Sequence, residues 1–200
     1  MPTYNNDTLV FIHVPRTGGT LIEVSLRKIY DDEKFWGFDE SGYSKQHYTF
    51  DRLKSELSEP FFSFSIVRNP FDRIVSSFLN YTVKVIPDFG YYLAVVRDTV
   101  TKKLYEDTPF LRLPESEALA SDTAHYMPQS IMVGEPDFIG KFETFDADME
   151  RLSEASGIEA FRKIKIRKSN APYRDFYTPE GRELMEKIYQ EDLERFDYSF

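Results

Sequence analysis

The feature that most constrains this chain is a glycine-bearing turn set between a short apolar run and an amphipathic one. Thr8 to Val14, Thr-Leu-Val-Phe-Ile-His-Val, has strand length and apolar character and is stopped by Pro15. Pro15-Arg16-Thr17-Gly18-Gly19-Thr20 follows, and then Ile22, Leu26 and Ile29 recur at helical steps of four and three. A strand handing over to a helix through glycines is the phosphate-binding unit of α/β domains. Glycines let the backbone approach an anion closely, and the N–H groups of the first helical turn point at it. The Thr17 and Thr20 hydroxyls and the Arg16 guanidinium add donors. An ordinary tight strand-to-helix turn is the plain alternative. The Walker pattern G-x-x-x-x-G-K-S/T is absent, and no Ser or Thr follows a loop lysine to hold magnesium, which weighs against an ATPase or kinase.

A second unit of the same kind begins at Phe61. Phe61 to Val67 reads as a strand running into Arg68-Asn69-Pro70, where Asn69 suits a helix N-cap and Pro70 the first helical position. Ile74, Val75, Phe78 and Leu79 mark the apolar face of the helix that follows, and Pro87 marks its limit. Residues 91–105 predict another helix. Pro109, Pro114, Pro128 and Pro136 punctuate an irregular acidic middle. A short strand is expected from Asp137 to Phe142 and a helix from Ala147 to Ala155. A closing amphipathic helix starts at Thr178-Pro179 and carries Leu184, Ile188 and Leu193. Strands alternating with helices predict an α/β fold, with a central parallel sheet flanked by helices on both faces, and 200 residues suit a single domain spanning 1–200.

Zero cysteines exclude disulfide frameworks, thiol nucleophiles and Cys-ligated zinc or iron–sulfur sites. No Asp, Glu and His cluster has metal spacing, so no metal is expected. A formal net charge of −9 disfavours a nucleic-acid partner or an anionic membrane surface. The charge is uneven, however. Residues 61–105 carry six basic and three acidic side chains and residues 161–175 six basic and one acidic, whereas residues 106–160 carry three basic and thirteen acidic. Two anion-friendly zones inside an acidic chain fit a small anionic ligand better than a long polyanion. No apolar run approaches a membrane span. The polar stretch Met1 to Asp7 lacks the basic and apolar regions of a signal peptide, so the expected location is cytoplasmic.

Phe11-Ile-His-Val-Pro-Arg-Thr-Gly-Gly-Thr20 resembles the 5′-phosphosulfate loop of carbohydrate-type sulfotransferases. Those enzymes draw on 3′-phosphoadenosine 5′-phosphosulfate (PAPS). Ile66-Val-Arg-Asn-Pro-Phe-Asp-Arg-Ile-Val-Ser-Ser77 is similar to the family's 3′-phosphate motif, in which a strand-ending arginine and a serine eight residues later clamp the 3′-phosphate. The matching positions here are Arg68 and Ser76. The stretches 125–130 and 138–144, Lys168-Ser-Asn170, Tyr173 and 188–198 resemble the family's later blocks, so the likeness runs almost end to end. It implies the P-loop-like sulfotransferase fold, PAPS as donor substrate without a metal, and a carbohydrate or small-molecule hydroxyl as acceptor. The first rival is a nucleotide kinase or other phosphoryl transferase on the same scaffold. The second is a nucleotide-binding module without turnover.

One position departs from the family, which usually has lysine where this chain has Arg16. Arginine keeps the charge and can fork onto the phosphosulfate, but its pKa above about 12 makes it a poor proton donor. Arg16 is therefore expected to stabilise charge rather than to act as an acid. Sulfuryl transfer also needs a base for the acceptor hydroxyl. His47, in Lys45-Gln-His-Tyr-Thr-Phe-Asp51, resembles the histidine that some members use as base between the two PAPS motifs, although a solvated loop histidine is the alternative. His13 reads as structural. His125 either touches acceptor or caps a turn. Glu23 and Asp51 are the alternative carboxylate bases. Among the basic residues 162–174, Lys168 and Arg174 are the candidate contacts to the nucleotide, because they flank the family-like Asn170.

Overall fold

A computed structural model of the protein describes residues 3–31, 34, 37–58, 60–82, 88–112, 120–166 and 172–200. In chain order the elements begin with β1 (Thr3–Tyr4), β2 (Leu9–Ile12), α1 (Gly19–Arg27), α2 (Phe50–Lys54), β3 (Phe62–Val67), α3 (Pro70–Ser77), α4 (Phe89–Thr101) and α5 (Leu104–Asp107). They continue with β4 (Phe110–Arg112), β5 (Ala120–Asp122), α6 (Gln129–Val133), β6 (Phe138–Lys141), α7 (Phe145–Ser156), α8 (Pro179–Ile188) and α9 (Gln190–Arg195). The chain divides into two compact units, each assembled from two stretches: Met1–Arg68 with Ile131–Ser169, and Asn69–Ser130 with Asn170–Phe200.

The first unit is built on a four-stranded sheet in the order β1-β2-β3-β6. β2, β3 and β6 run parallel, with Phe11 opposite Phe64 and Ile66 opposite Gly140, and β1 pairs antiparallel with β2. Side chains alternate faces along a strand, so Leu9, Phe11, Phe64 and Ile66 share one face. There they pack with Ile22 and Leu26 of α1 and with Phe145, Met149 and Leu152 of α7, all buried. The other face carries Val10, Ile12, Ser63 and Ser65, also buried, as expected of a parallel sheet covered on both sides. The serines there are satisfied: Ser63 donates through its N–H and its hydroxyl to Asp137 Oδ2 (2.7 and 2.8 Å), and Ser65 donates to the Ile12 carbonyl (2.8 Å).

The second unit is mainly helical. Asn69 caps α3 by accepting from the Phe71 N–H at 3.0 Å, with Pro70 at the first helical position, as the sequence predicts. Phe71, Ile74 and Phe78 pack with Tyr92, Leu93 and Val96 of α4 and with Met185 of α8. Fully buried Arg73 donates to the carbonyls of His125 (3.2 Å) and Met127 (2.7 Å). Buried Asp192 accepts from the N–H groups of Gln129 (2.8 Å) and Ser130 (2.7 Å).

Several expected boundaries move. The helix predicted over 91–105 is two helices, because Lys103 turns left-handed at φ 50°. Val96, Val100 and Leu104 keep a four-residue step across that break, so periodicity alone reads one helix. α1 stops at Arg27 and leaves Ile29 exposed. The closing helix breaks at Tyr189, and the acidic middle holds the β4–β5 hairpin and α6 rather than irregular chain alone. Among the described residues, no helix is long and apolar enough to cross a membrane, and no group of three or more His, Asp or Glu side chains is arranged to hold a metal.

Candidate functional site

The glycine loop is locally self-organised. Thr17 is buried and donates its hydroxyl proton to the Val14 carbonyl at 2.8 Å. The sequence reading counted that hydroxyl among the anion donors; here it shapes the turn instead. Gly18 caps α1 at φ 87°, and a Cβ there would come within 2.7 Å of Ile166 Cδ1. Gly19, the first residue of α1, sits close against the His13 imidazole, where a Cβ would fall 2.3 Å from Nε2. The N–H groups of Gly19 and Thr20 belong to the first turn, where a helix has no acceptors of its own, and Thr20 is exposed. Arg16 is half-buried in the left-handed region at φ 72°.

Arg68, at the end of β3, reaches this loop. Its Nη1 donates to the Arg16 carbonyl at 2.9 Å, and its guanidinium carbon lies 4.2 Å from the centre of the Phe142 ring. The bond spans 52 residues of sequence and fastens the end of one predicted phosphate unit to the loop of the other.

Beneath the loop lies a polar cluster within an otherwise apolar interior. Glu23, one turn into α1, has no solvent exposure. One of its carboxyl oxygens meets His13 Nδ1 at 2.6 Å, and the other accepts from Gln46 Nε2 at 2.5 Å, with Arg27 Nη2 at 3.7 Å. Gln46 and His47 lie in the 3-10 turn Lys45–His47, and the His47 ring stands edge-on to that of His13 with centres 5.2 Å apart. The structure thus brings His47, Arg16, Gly18, Gly19, Thr20 and Arg68 together in one unit. The sequence does not single out Gln46, and His13 reads there only as structural, packing or hydrogen-bonded within the fold. Their positions beside His47 and two residues before the loop were the available signals.

Burial pushes the Glu23 carboxyl up to about 7, against the opposing pull of the Gln46 hydrogen bond and of the Arg27 and His47 charges. A carboxyl whose folded pKa lies above its unfolded value of 4.5 favours the protonated form in the fold. Its stabilising contribution is complete below the unfolded value and is lost as pH rises through the folded one. Relative to Glu23→Gln, which cannot titrate, the wild type should lose up to about 3 kcal/mol of stability between acid and mildly alkaline pH. Urea unfolding of both proteins across that range reads this directly, and a constant difference between them would remove the assigned shift.

The remaining candidates lie in the second unit or outside the described residues. Ser76 is half-buried on α3, and its carbonyl accepts from Asn80 Nδ2 at 3.1 Å. Arg174 is exposed on a short turn, stacked 4.9 Å from the Tyr173 ring centre and 5.7 Å from that of Phe200. It lines an open groove of about 440 Å³ together with Tyr177, Arg182 and Phe200. His125 is buried with Nδ1 3.0 Å from the Ser77 hydroxyl, which favours the turn-holding reading over acceptor contact. Lys168 lies outside the described residues.

A family model described as "Sulfotransferase family" matches residues 3–199. No curated protein and no solved structure matches the chain.

Proposed function

Since the chain belongs to the sulfotransferase family from residue 3 to residue 199, and its activity is therefore sulfuryl transfer, we propose that PAPS is its donor and a carbohydrate hydroxyl its acceptor. On this reading residues 1–200 act as a single P-loop-like sulfotransferase domain. The observation that carries the reading is the chain of contacts in the first unit. Arg68 is bonded to the loop at Arg16, His13 lies against Gly19, and His47 stands against His13.

The acceptor oxygen attacks sulfur in line with the departing phosphate oxygen, so one S–O bond forms as another breaks. His47 takes the hydroxyl proton. Arg16 and the N–H groups of Gly19 and Thr20 meet the charge that accumulates on the departing 5′-phosphate oxygen. Because a guanidinium does not give up its proton at neutral pH, PAP leaves as the anion, held by charge alone on that side. Arg68 binds the 3′-phosphate, with Ser76, Lys168 and Arg174 as its further contacts.

A screen of carbohydrate acceptors with sulfur-labelled PAPS, run with and without EDTA, tests this. The expected result is label on an acceptor hydroxyl, one PAP released per transfer, and no effect of the chelator, because fixed cationic groups and amides stand where a metal would otherwise act. A strict magnesium requirement would point instead to phosphoryl transfer. PAP binding without transfer to any acceptor would leave a nucleotide-binding module.

A further inference from the structure

The Glu23 cluster does more than fill space, and what it does deepens the sulfotransfer reading, on which this inference rests. Three facts define it. Glu23 is fully buried, so acceptor cannot reach it without displacing protein. Both of its carboxyl oxygens are already engaged, one by His13 Nδ1 and one by Gln46 Nε2. And its two partners come from different elements, the end of the strand that feeds the loop and the turn that carries His47.

We propose that Glu23 is a positioning residue for sulfuryl transfer: one oxygen fixes the His13 ring beneath Gly19, and the other, through Gln46, holds the Lys45–His47 turn so that the His47 imidazole is presented at the loop. A general-base role for Glu23 itself does not fit this geometry, since a base must reach the proton it removes. The charged and titratable groups facing the carboxyl are His13 from the end of β2, His47 from the turn, and Arg27 from its own helix. Ionised, Glu23 accepts from Nδ1–H and leaves Nε2 unprotonated toward Gly19; protonated, it donates to Nδ1 of the neutral ring and leaves the ring proton on Nε2, so the carboxyl sets the imidazole's tautomer as well as its place.

Glu23→Gln, Glu23→Ala and Gln46→Ala separate the possibilities. An amide at position 23 keeps an acceptor oxygen and gains a donor, and Gln46 can reverse its own amide to match. Glu23→Gln should therefore keep kcat within a factor of about three of wild type, whereas Glu23→Ala should lower it by about 10²-fold, the scale expected when a reacting group is displaced by about an ångström. Gln46→Ala, at a half-buried position, should lower kcat by about tenfold. In each case active sites are counted by PAP titration, and PAP affinity stays within a factor of about two.

Imidazole NMR supplies a readout that needs no turnover. The chain has three histidines, and His125, in the other unit and bonded to Ser77, serves as the internal reference. Gln46→Ala should move the His47 resonances and leave those of His125 in place. Glu23→Gln as inactive as Glu23→Ala would make Glu23 the base and overturn the proposal. So would unmoved His47 resonances in Gln46→Ala, or full activity in Glu23→Ala. A wild type that sulfates nothing would fail the sulfotransfer reading alone, while the NMR result would still decide whether Glu23 positions His47.

Discussion

His47→Ala is expected to lower turnover by about 10² to 10⁴-fold while leaving PAP affinity within a factor of a few, the usual measure of a lost general base. His47 is half-buried on a short turn, close to the loop through its edge contact with His13, and is not itself one of the contacts proposed for the nucleotide. Its removal should therefore act on the chemical step rather than on donor binding. His47→Asn should do no better than alanine, because an amide can hold a hydrogen bond but cannot carry the proton away. The measurement is single-turnover sulfation with labelled PAPS, beside PAP titration of each variant. Near-normal turnover in His47→Ala would return the role to a carboxylate. Of the alternatives, Glu23 is sealed in and doubly bonded and His125 is buried in the second unit, which leaves exposed Asp51 of α2 as the first to test.

Arg68→Ala should weaken PAP by roughly 10- to 150-fold, the equivalent of about 1.5–3 kcal/mol for one charge-assisted contact. Adenosine 5′-phosphate lacks the 3′-phosphate and should lose much less. It should still lose something, because Arg68 also holds the Arg16 carbonyl and stacks on Phe142, so its removal loosens the loop proposed to hold the 5′-phosphosulfate. Ser76→Ala should likewise weaken PAP much more than adenosine 5′-phosphate, which lacks the 3′-phosphate. Arg68→Lys keeps the charge but neither the planar stack nor the fork, and should fall between wild type and alanine. Calorimetric titration of both nucleotides against all three variants separates the contributions. Equal weakening of PAP and adenosine 5′-phosphate would make Arg68 a loop support and nothing more.

What the sequence displayed and what it withheld divide along the range of the interactions. The Leu9–Ile12 strand, the turn at Gly18 and Gly19, the Asn69 cap and the helix starting at Pro179 are written in neighbouring residues, and all appear where the local chemistry places them. The bond from Arg68 to the Arg16 carbonyl is not, because its acceptor is a backbone group 52 positions away that any residue would supply. The link between Gln46 and Glu23 was hidden for a related reason: glutamine carries no charge signature, and its partner lies 23 residues earlier on a helix whose pattern reads as plainly amphipathic. Arg73 carries no local mark of its place either: it is fully buried and donates to two main-chain carbonyls, those of His125 and Met127, more than fifty positions away. The break at Lys103 was invisible because a lysine, not a proline or glycine, takes the left-handed turn there.

The close seating of Gly19 on the imidazole of His13 makes positions 13 and 19 one choice rather than two. A methyl group at 19 has no room while a planar ring occupies 13, and a smaller residue at 13 would leave a hollow under the loop and Glu23 without its partner. Neither position can drift alone. Any chain that builds its loop on this plan must carry the ring and the missing side chain together, or must replace both at once with a different floor. The shape of the glycine loop is thus set by the two positions as a pair, and a redesign that widens the loop has to begin under it, at His13.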